Sequence, residues 1–125
     1  MTDIQSRLAA WGADPEEALR SRMMHDEKLY IRLLKRYAES DQLKDFKKAV
    51  ENMNYEGAYF AAHHMKGSAG ALSLTPVYEC VEAVLDAVNA KDNAKIKENA
   101  ELFLSKFEEF REIMRKSCAG TDTDN

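Results

Sequence analysis

Residues 61–72 read Ala61-Ala62-His63-His64-Met65-Lys66-Gly67-Ser68-Ala69-Gly70-Ala71-Leu72. Alanine, methionine and leucine favour a helix, yet two glycines stand inside it. Each glycine costs roughly 1 kcal/mol relative to alanine in a helix interior. Turned at about 100° per residue, Met65, Ala69 and Leu72 fall on one side together with Ala58, Ala61 and Ala62. That side is the expected core face. His63, Lys66, Gly67 and Gly70 share the opposite side, within about 100° of one another. On this reading the glycines do not serve the core. They clear the surface beside His63. His64 lies about 100° further round the helix, without that clearing.

Outward from this segment the periodicity is helical nearly everywhere. Asn54 can cap the helix that carries the two histidines, which runs to about Leu74. Thr75-Pro76 signals the next start, with Thr75 as cap and proline in the first turn. Val77, Val81, Val84, Leu85 and Val88 form its apolar stripe. Lys91-Asp92-Asn93 is a short polar connection. A last helix is predicted from about Ala94 to Ser117, with Ile96, Phe103, Phe107, Phe110 and Met114 facing inward.

Towards the N-terminus, Leu29, Leu33, Tyr37, Phe46, Val50 and Met53 recur at helical spacing over about 26–52. Ser40-Asp41 is the place for a break or a bend. No Gly or Pro interrupts the segment, so one long helix is expected. Asp14-Pro15-Glu16-Glu17 is a strong helix start, and Ile4, Leu8 and Trp11 suit a short helix ending at Gly12. Met23 and Met24 read as packing residues, and Cys80, beside an apolar stripe, as a buried thiol. Long helices joined by short connections pack antiparallel with their neighbours. The predicted fold is therefore all-α: an up-down antiparallel four-helix bundle over about 26–117. A short N-terminal helical extension over 3–24 lies against it, and a frayed tail covers 118–125.

The composition agrees with a single domain. The chain has 125 residues and 14.2 kDa, enough to bury roughly two-thirds of its unfolded surface. Hydrophobic residues make up 45% and charged residues 32%, the mix of a soluble globular protein. Two prolines and five glycines are too few for the turns of an all-β fold. The formal net charge of −4 argues against bulk nucleic-acid binding, which needs an excess of Lys and Arg. No apolar run approaches the roughly 18 residues of a membrane span, and no charged-then-apolar leader opens the chain. Two cysteines, Cys80 and Cys118, are too few for a disulfide framework and fit a reducing cytoplasm.

An imidazole on an open helix face can be reached by another protein's active site. Neutral imidazole is a good nucleophile near physiological pH, and an ammonium group three residues on can attract an anion arriving at the ring. Attack of a His63 ring nitrogen on an acyl phosphate is the natural reaction. The run His63-His64-Met65-Lys66-Gly67-Ser68-Ala69-Gly70 resembles the HxxKGxxG motif of histidine-containing phosphotransfer (HPt) domains. Asn54-Tyr55-Glu56 before it and Thr75-Pro76 after it resemble that family's helix openings. The helix pattern from about Asp14 to Ser117 is similar to its bundle, so the resemblance covers most of the chain.

The resemblance implies a phosphoryl carrier of a multistep phosphorelay, without kinase activity of its own. His63 would accept the phosphoryl group from a receiver-domain aspartate and pass it to another. Lys66 would assist electrostatically. Gly67 would leave room for the receiver to dock, on a surface centred on His63, Gly67 and Gly70 with His64 at its flank. The partners would be response-regulator receiver domains or a hybrid sensor histidine kinase. Magnesium belongs to the receiver in this family, so no metal and no cofactor is expected on this chain. A monomer is expected, because a carrier gains from an unobstructed histidine face. One departure stands after Leu72, where many members carry glycine and this chain has Ser73. The competing reading is an interaction module that binds a receiver or kinase and blocks it without being phosphorylated. A metal-binding bundle would want inward Glu-x-x-His pairs, and a nucleotide enzyme a glycine-rich phosphate loop. The sequence has neither.

Overall fold

The computed structural model describes residues 2–123, and side-chain surroundings for residues 2–117. Among the described residues every regular element is a helix: α1 (Asp3–Trp11), α2 (Pro15–Ser21), α3 (Glu27–Ala38), α4 (Gln42–Glu51), α5 (Tyr55–Ala71), α6 (Thr75–Asn89) and α7 (Asn93–Thr123). None of them is long and apolar enough to cross a membrane.

The helix starts follow from short polar side chains. Asp14 accepts from the Glu17 N–H, Asp26 from that of Leu29, and Asn54 from that of Gly57, at 3.0–3.1 Å. Each bond satisfies a backbone donor that the first turn leaves without an intrahelical partner. Pro15 and Pro76 sit in first turns, where a missing N–H costs nothing. One cap differs from expectation. Leu74, not Thr75, holds the cap position of α6, and its side chain makes no capping bond.

Four helix ends share one device. Gly12, Met53, Ser73 and Lys91 adopt positive φ. Each is followed by a residue whose N–H reaches back to a carbonyl five positions earlier: Ala13 to Leu8, Asn54 to Ala49, Leu74 to Ala69 and Asp92 to Ala87. The left-handed residue turns the chain away while the last carbonyls keep a partner. Only Gly12 adopts it without a Cβ penalty. Ser73, at φ +54°, therefore carries local strain that a glycine would avoid. Met53 turns outward here and is 51% exposed, so it does not join the core as its spacing suggested.

The single long helix expected over 26–52 is two helices. The Ser40 hydroxyl accepts from the Gln42 N–H at 3.2 Å, which offers the backbone an alternative to the helical ladder. Arg111 of α7 donates from Nε to the Ala38 carbonyl at 2.9 Å and closes the end of α3. A side chain far along the chain thus helps to end a helix that no local breaker interrupts. At the other end, the helical backbone of α7 continues to Thr123, past the Ser117 boundary expected from sequence and through Gly120. The surroundings of Cys118 and the rest of the expected tail lie outside the described residues.

α4 packs on α5, α5 on α6 and α6 on α7, and α7 also meets α1, α3 and α4. Phe46, Phe103, Phe107 and Phe110 are fully buried between these helices, as are Val77, Val81 and Val84. Met23 is buried but Met24 is 89% exposed, so only the first of the pair packs inside. The Cys80 thiol is half-buried, and burial pushes its pKa up. The N-terminal extension is tied down at several points. The Trp11 indole donates to Glu109 of α7 at 2.8 Å, a bond that holds the Glu109 carboxyl below its usual range. The Asp14 N–H donates to the Ser73 carbonyl at 2.9 Å.

Two tyrosines of α3 anchor the histidine helix from inside. Tyr37 donates its hydroxyl to the Met65 carbonyl at 2.8 Å, and Tyr30 donates to Leu72 at 2.9 Å. Burial raises both phenols well above the ordinary tyrosine range, with Asp14 adding to the effect at Tyr30. A raised folded-state pKa gives stability that is complete below the unfolded value of about 10 and lost above it. Unfolding free energy should fall from about pH 10 upward, by about 1.4 kcal/mol per pH unit for each phenol. Denaturant titrations of wild type, Tyr30→Phe and Tyr37→Phe between pH 8 and 12 check this, since each variant should flatten the loss. Parallel curves for all three would contradict it.

Candidate functional site

Helix α5 presents its alanines inward, as the spacing predicts. Ala58, Ala61, Ala62, Met65 and Ala69 are buried, and Leu72 is buried just past the helix end. Small side chains let α4 and α6 pack close on either side. The opposite face carries His63, His64 and Gly67, all exposed, with Lys66 and Gly70 half-buried.

His63 is held by ring contact. Tyr59, one turn earlier, lies parallel to the imidazole at 5.9 Å between centroids and 7° between planes. Such i,i+4 pairs meet on a helix surface, and the parallel ring contact restrains the imidazole. No hydrogen bond or ion pair among the described residues occupies its ring nitrogens. His64 packs differently. Its ring meets Phe60 at 4.5 Å, tilted by 51°, and it stands edge-on to His63 at 6.4 Å. Phe60 is 66% exposed, so Phe60 and His64 form an apolar patch beside His63. Tyr59 and Phe60 went unremarked in the sequence, although their i−4 offset from the two histidines was the signal that marks them.

The two glycines play different parts. A Cβ on Gly67 would meet nothing within 4 Å, so this position is open to an approaching surface. A Cβ on Gly70 would meet the Tyr78 ring at 3.3 Å. Gly70 thus accommodates a side chain of α6, a part that the helical wheel did not suggest. Adding a methyl at Gly67 relieves helix entropy without a clash. Gly67→Ala should therefore stabilise the protein by about 0.5–1 kcal/mol, read as a higher denaturant midpoint. Gly67→Leu should fold equally well, since the added side chain would extend into open space on this face.

Lys66 turns towards α6. Its ammonium stands 3.5 Å from Glu82 and 5.4 Å from the centroid of the Tyr78 ring. Neither Tyr78 nor Glu82 was singled out in the sequence, and their own i,i+4 spacing becomes meaningful only once α6 is seen to pack on α5. His25 lies apart, in the connection before α3. No group of three His, Cys, Asp or Glu among the described residues could hold a metal ion.

An apolar groove of about 810 Å³ between α4, α5 and α7, floored by Phe46, Val50, Ile96 and Leu104, does not include His63. A second, of about 840 Å³, runs along the α3 flank of α5 past Arg32, Arg36 and Ser68, and His63 does not line it either. The imidazole stands on an exposed face and outside these grooves, an arrangement suited to contact with another macromolecule. No protein-family model matches the chain, and no curated protein or solved structure shows significant similarity to it.

Proposed function

We propose that this chain is a histidine phosphotransfer protein of a cytoplasmic phosphorelay. The observation that carries the reading is the exposed His63 imidazole, stacked on Tyr59 beside an open Gly67, with Lys66 one turn further along. The fold that goes with it is an up-down antiparallel four-helix bundle. It comprises the α3–α4 segment, α5, α6 and α7, the last three entered through the short connections 52–54, 72–74 and 90–92.

The chemistry is a reversible displacement at phosphorus. A ring nitrogen of neutral His63 attacks the aspartyl phosphate of a receiver domain. The new N–P bond forms as the O–P bond to the aspartate breaks, and the receiver recovers its carboxylate. The second ring nitrogen keeps or releases the remaining proton. Attack by another receiver's aspartate reverses these steps and restores the imidazole. The carrier contributes positioning of the nucleophile and local charge. Tyr59 restrains the ring, Phe60 and His64 offer an apolar contact, and Lys66 supplies positive charge. Receiver domains are the partners, and the carrier acts as a monomer with its histidine face free.

The test is incubation of the full chain with a phosphorylated receiver domain, followed by mass analysis under alkaline conditions. An acid-labile phosphoryl group on this chain, with matching loss from the receiver, is the expected result. Stable binding of the receiver without transfer would replace this reading with that of a blocking interaction module.

A further inference from the structure

The contacts of Lys66 assign a role to a residue on the neighbouring helix. Tyr78 and Glu82 are one turn apart on α6 and both meet the Lys66 side chain. The Tyr78 ring can lie there because Gly70 has no Cβ; one would stand 3.3 Å from it. The Lys66 side chain is 29% exposed and that of Glu82 49%. The lysine that the carrier reading gives to the phosphoryl group is thus already engaged when His63 is bare.

We infer that Glu82 is a positioning residue that governs how readily Lys66 can serve a phosphoryl group at His63. The inference rests on the phosphoryl-carrier reading above. A phosphoryl group carries about −1.5 to −2 charges, against the single charge of Glu82. It can therefore draw the ammonium across when it arrives, at the expense of the ion pair with Glu82. Glu82 lowers the free supply of Lys66 and adds a negative charge on the side from which the lysine must act. Both effects slow charging of His63. They also keep the phosphoryl group less tightly held, which suits a carrier that must give it away.

The experiment uses the full chain and phosphoramidate, a small donor that needs no docking. The P–N bond of the donor breaks as the bond to His63 forms, and ammonia leaves with the imidazole proton. Initial rates are followed by ³¹P NMR for wild type, Glu82→Gln, Lys66→Gln and the double variant. The phosphorylated residue is located by mass analysis. Glu82→Gln should react about two- to fivefold faster than wild type, the range that loss of one exposed ion pair can supply. In the Lys66→Gln background the same change should have at most half that effect on a logarithmic scale. A merely structural role for Glu82 would not depend on Lys66. If wild type is phosphorylated on His63 but Glu82→Gln is no faster, the role of Glu82 is overturned and the carrier reading stands. Equal acceleration in both backgrounds likewise overturns it, since Glu82 would then act without the lysine. If wild type takes no phosphoryl group on either histidine, the carrier reading fails and the role of Glu82 falls with it; a group on His64 alone moves the site and overturns the role of Glu82.

Discussion

His63→Gln should carry no acid-labile phosphoryl group after exposure to either phosphoramidate or a phosphorylated receiver, whereas His64→Gln should still be charged. The two histidines are adjacent and both exposed, so the contrast tests position and not composition. Glutamine approximates the size and polarity of imidazole but offers an amide in place of a nucleophilic ring nitrogen. An exposed substitution away from caps and core usually shifts stability by no more than about 0.5 kcal/mol. Both variants should therefore keep the wild-type denaturant midpoint, and a lost signal can be assigned to chemistry. The difference between the residues is in their surroundings. The His63 ring lies parallel to that of Tyr59, with the open position Gly67 one turn further along. His64 tilts against Phe60, about 100° round the helix. Loss of charging only in His64→Gln would move the site by one residue. Persistence of the label in both single variants would remove these histidines from the reaction.

The proposed carrier role rests on few residues. The face of α5 combines a restrained imidazole, an open glycine and a cation held nearby. An enzyme acting on a small substrate would gain from enclosing that imidazole, because a closed site excludes water and strengthens electrostatics. A carrier needs the opposite, since a partner's active site supplies the enclosure when the two proteins meet.

Much of this was legible in the sequence because helices declare themselves through periodicity. The alanine side of α5, the valine stripe of α6 and the phenylalanine stripe of α7 are all buried as their spacing requires. Starts at Asp14, Asp26 and Asn54 follow from side chains that cap them locally. Ends were harder to read. Only Gly12 announces its left-handed turn, whereas Met53, Ser73 and Lys91 adopt the same conformation without the residue that favours it. The break after Ala38 depends partly on Arg111, which is distant in sequence. The same limit applied to the site. His63, Lys66 and Gly67 share one helix and could be placed on one face. Glu82 and Tyr78 reach Lys66 from another helix, and Gly70 takes its meaning from that ring. Periodicity within one helix contains no information about which residue of a neighbour it will meet.

Phe107→Ala should be the most damaging single truncation in the aromatic core, costing about 3–5 kcal/mol. Phe107 is fully buried on α7. Its ring meets Tyr37 edge-on at 5.2 Å and packs against Phe110 at 5.8 Å and Phe103 at 6.1 Å. The Arg111 guanidinium stands over it at 5.0 Å. Truncation removes the apolar burial and these ring contacts together, and leaves a cavity that rigid helices fill only in part. The damage should spread along a defined route. Tyr37 loses its edge-on partner, and Tyr37 is the residue whose hydroxyl holds the Met65 carbonyl under the histidine helix. Arg111, which closes α3, loses the ring beneath it. A domain of ordinary stability has about 5–15 kcal/mol in total, so the loss is a large fraction of the whole. With a urea dependence of about 1–3 kcal/mol per molar, the midpoint should fall by roughly 2 M. Phe107→Leu, which retains most of the volume, should lose far less than Phe107→Ala. Phe60→Ala, at an exposed position, should lose less than about 0.5 kcal/mol. Equal midpoints for Phe107→Ala and Phe60→Ala would mean that the aromatic cluster does not hold α3 and α7 together. A fall confined to Phe107→Ala, with charging of His63 intact in the fraction that stays folded, would separate the scaffold from the chemistry it presents.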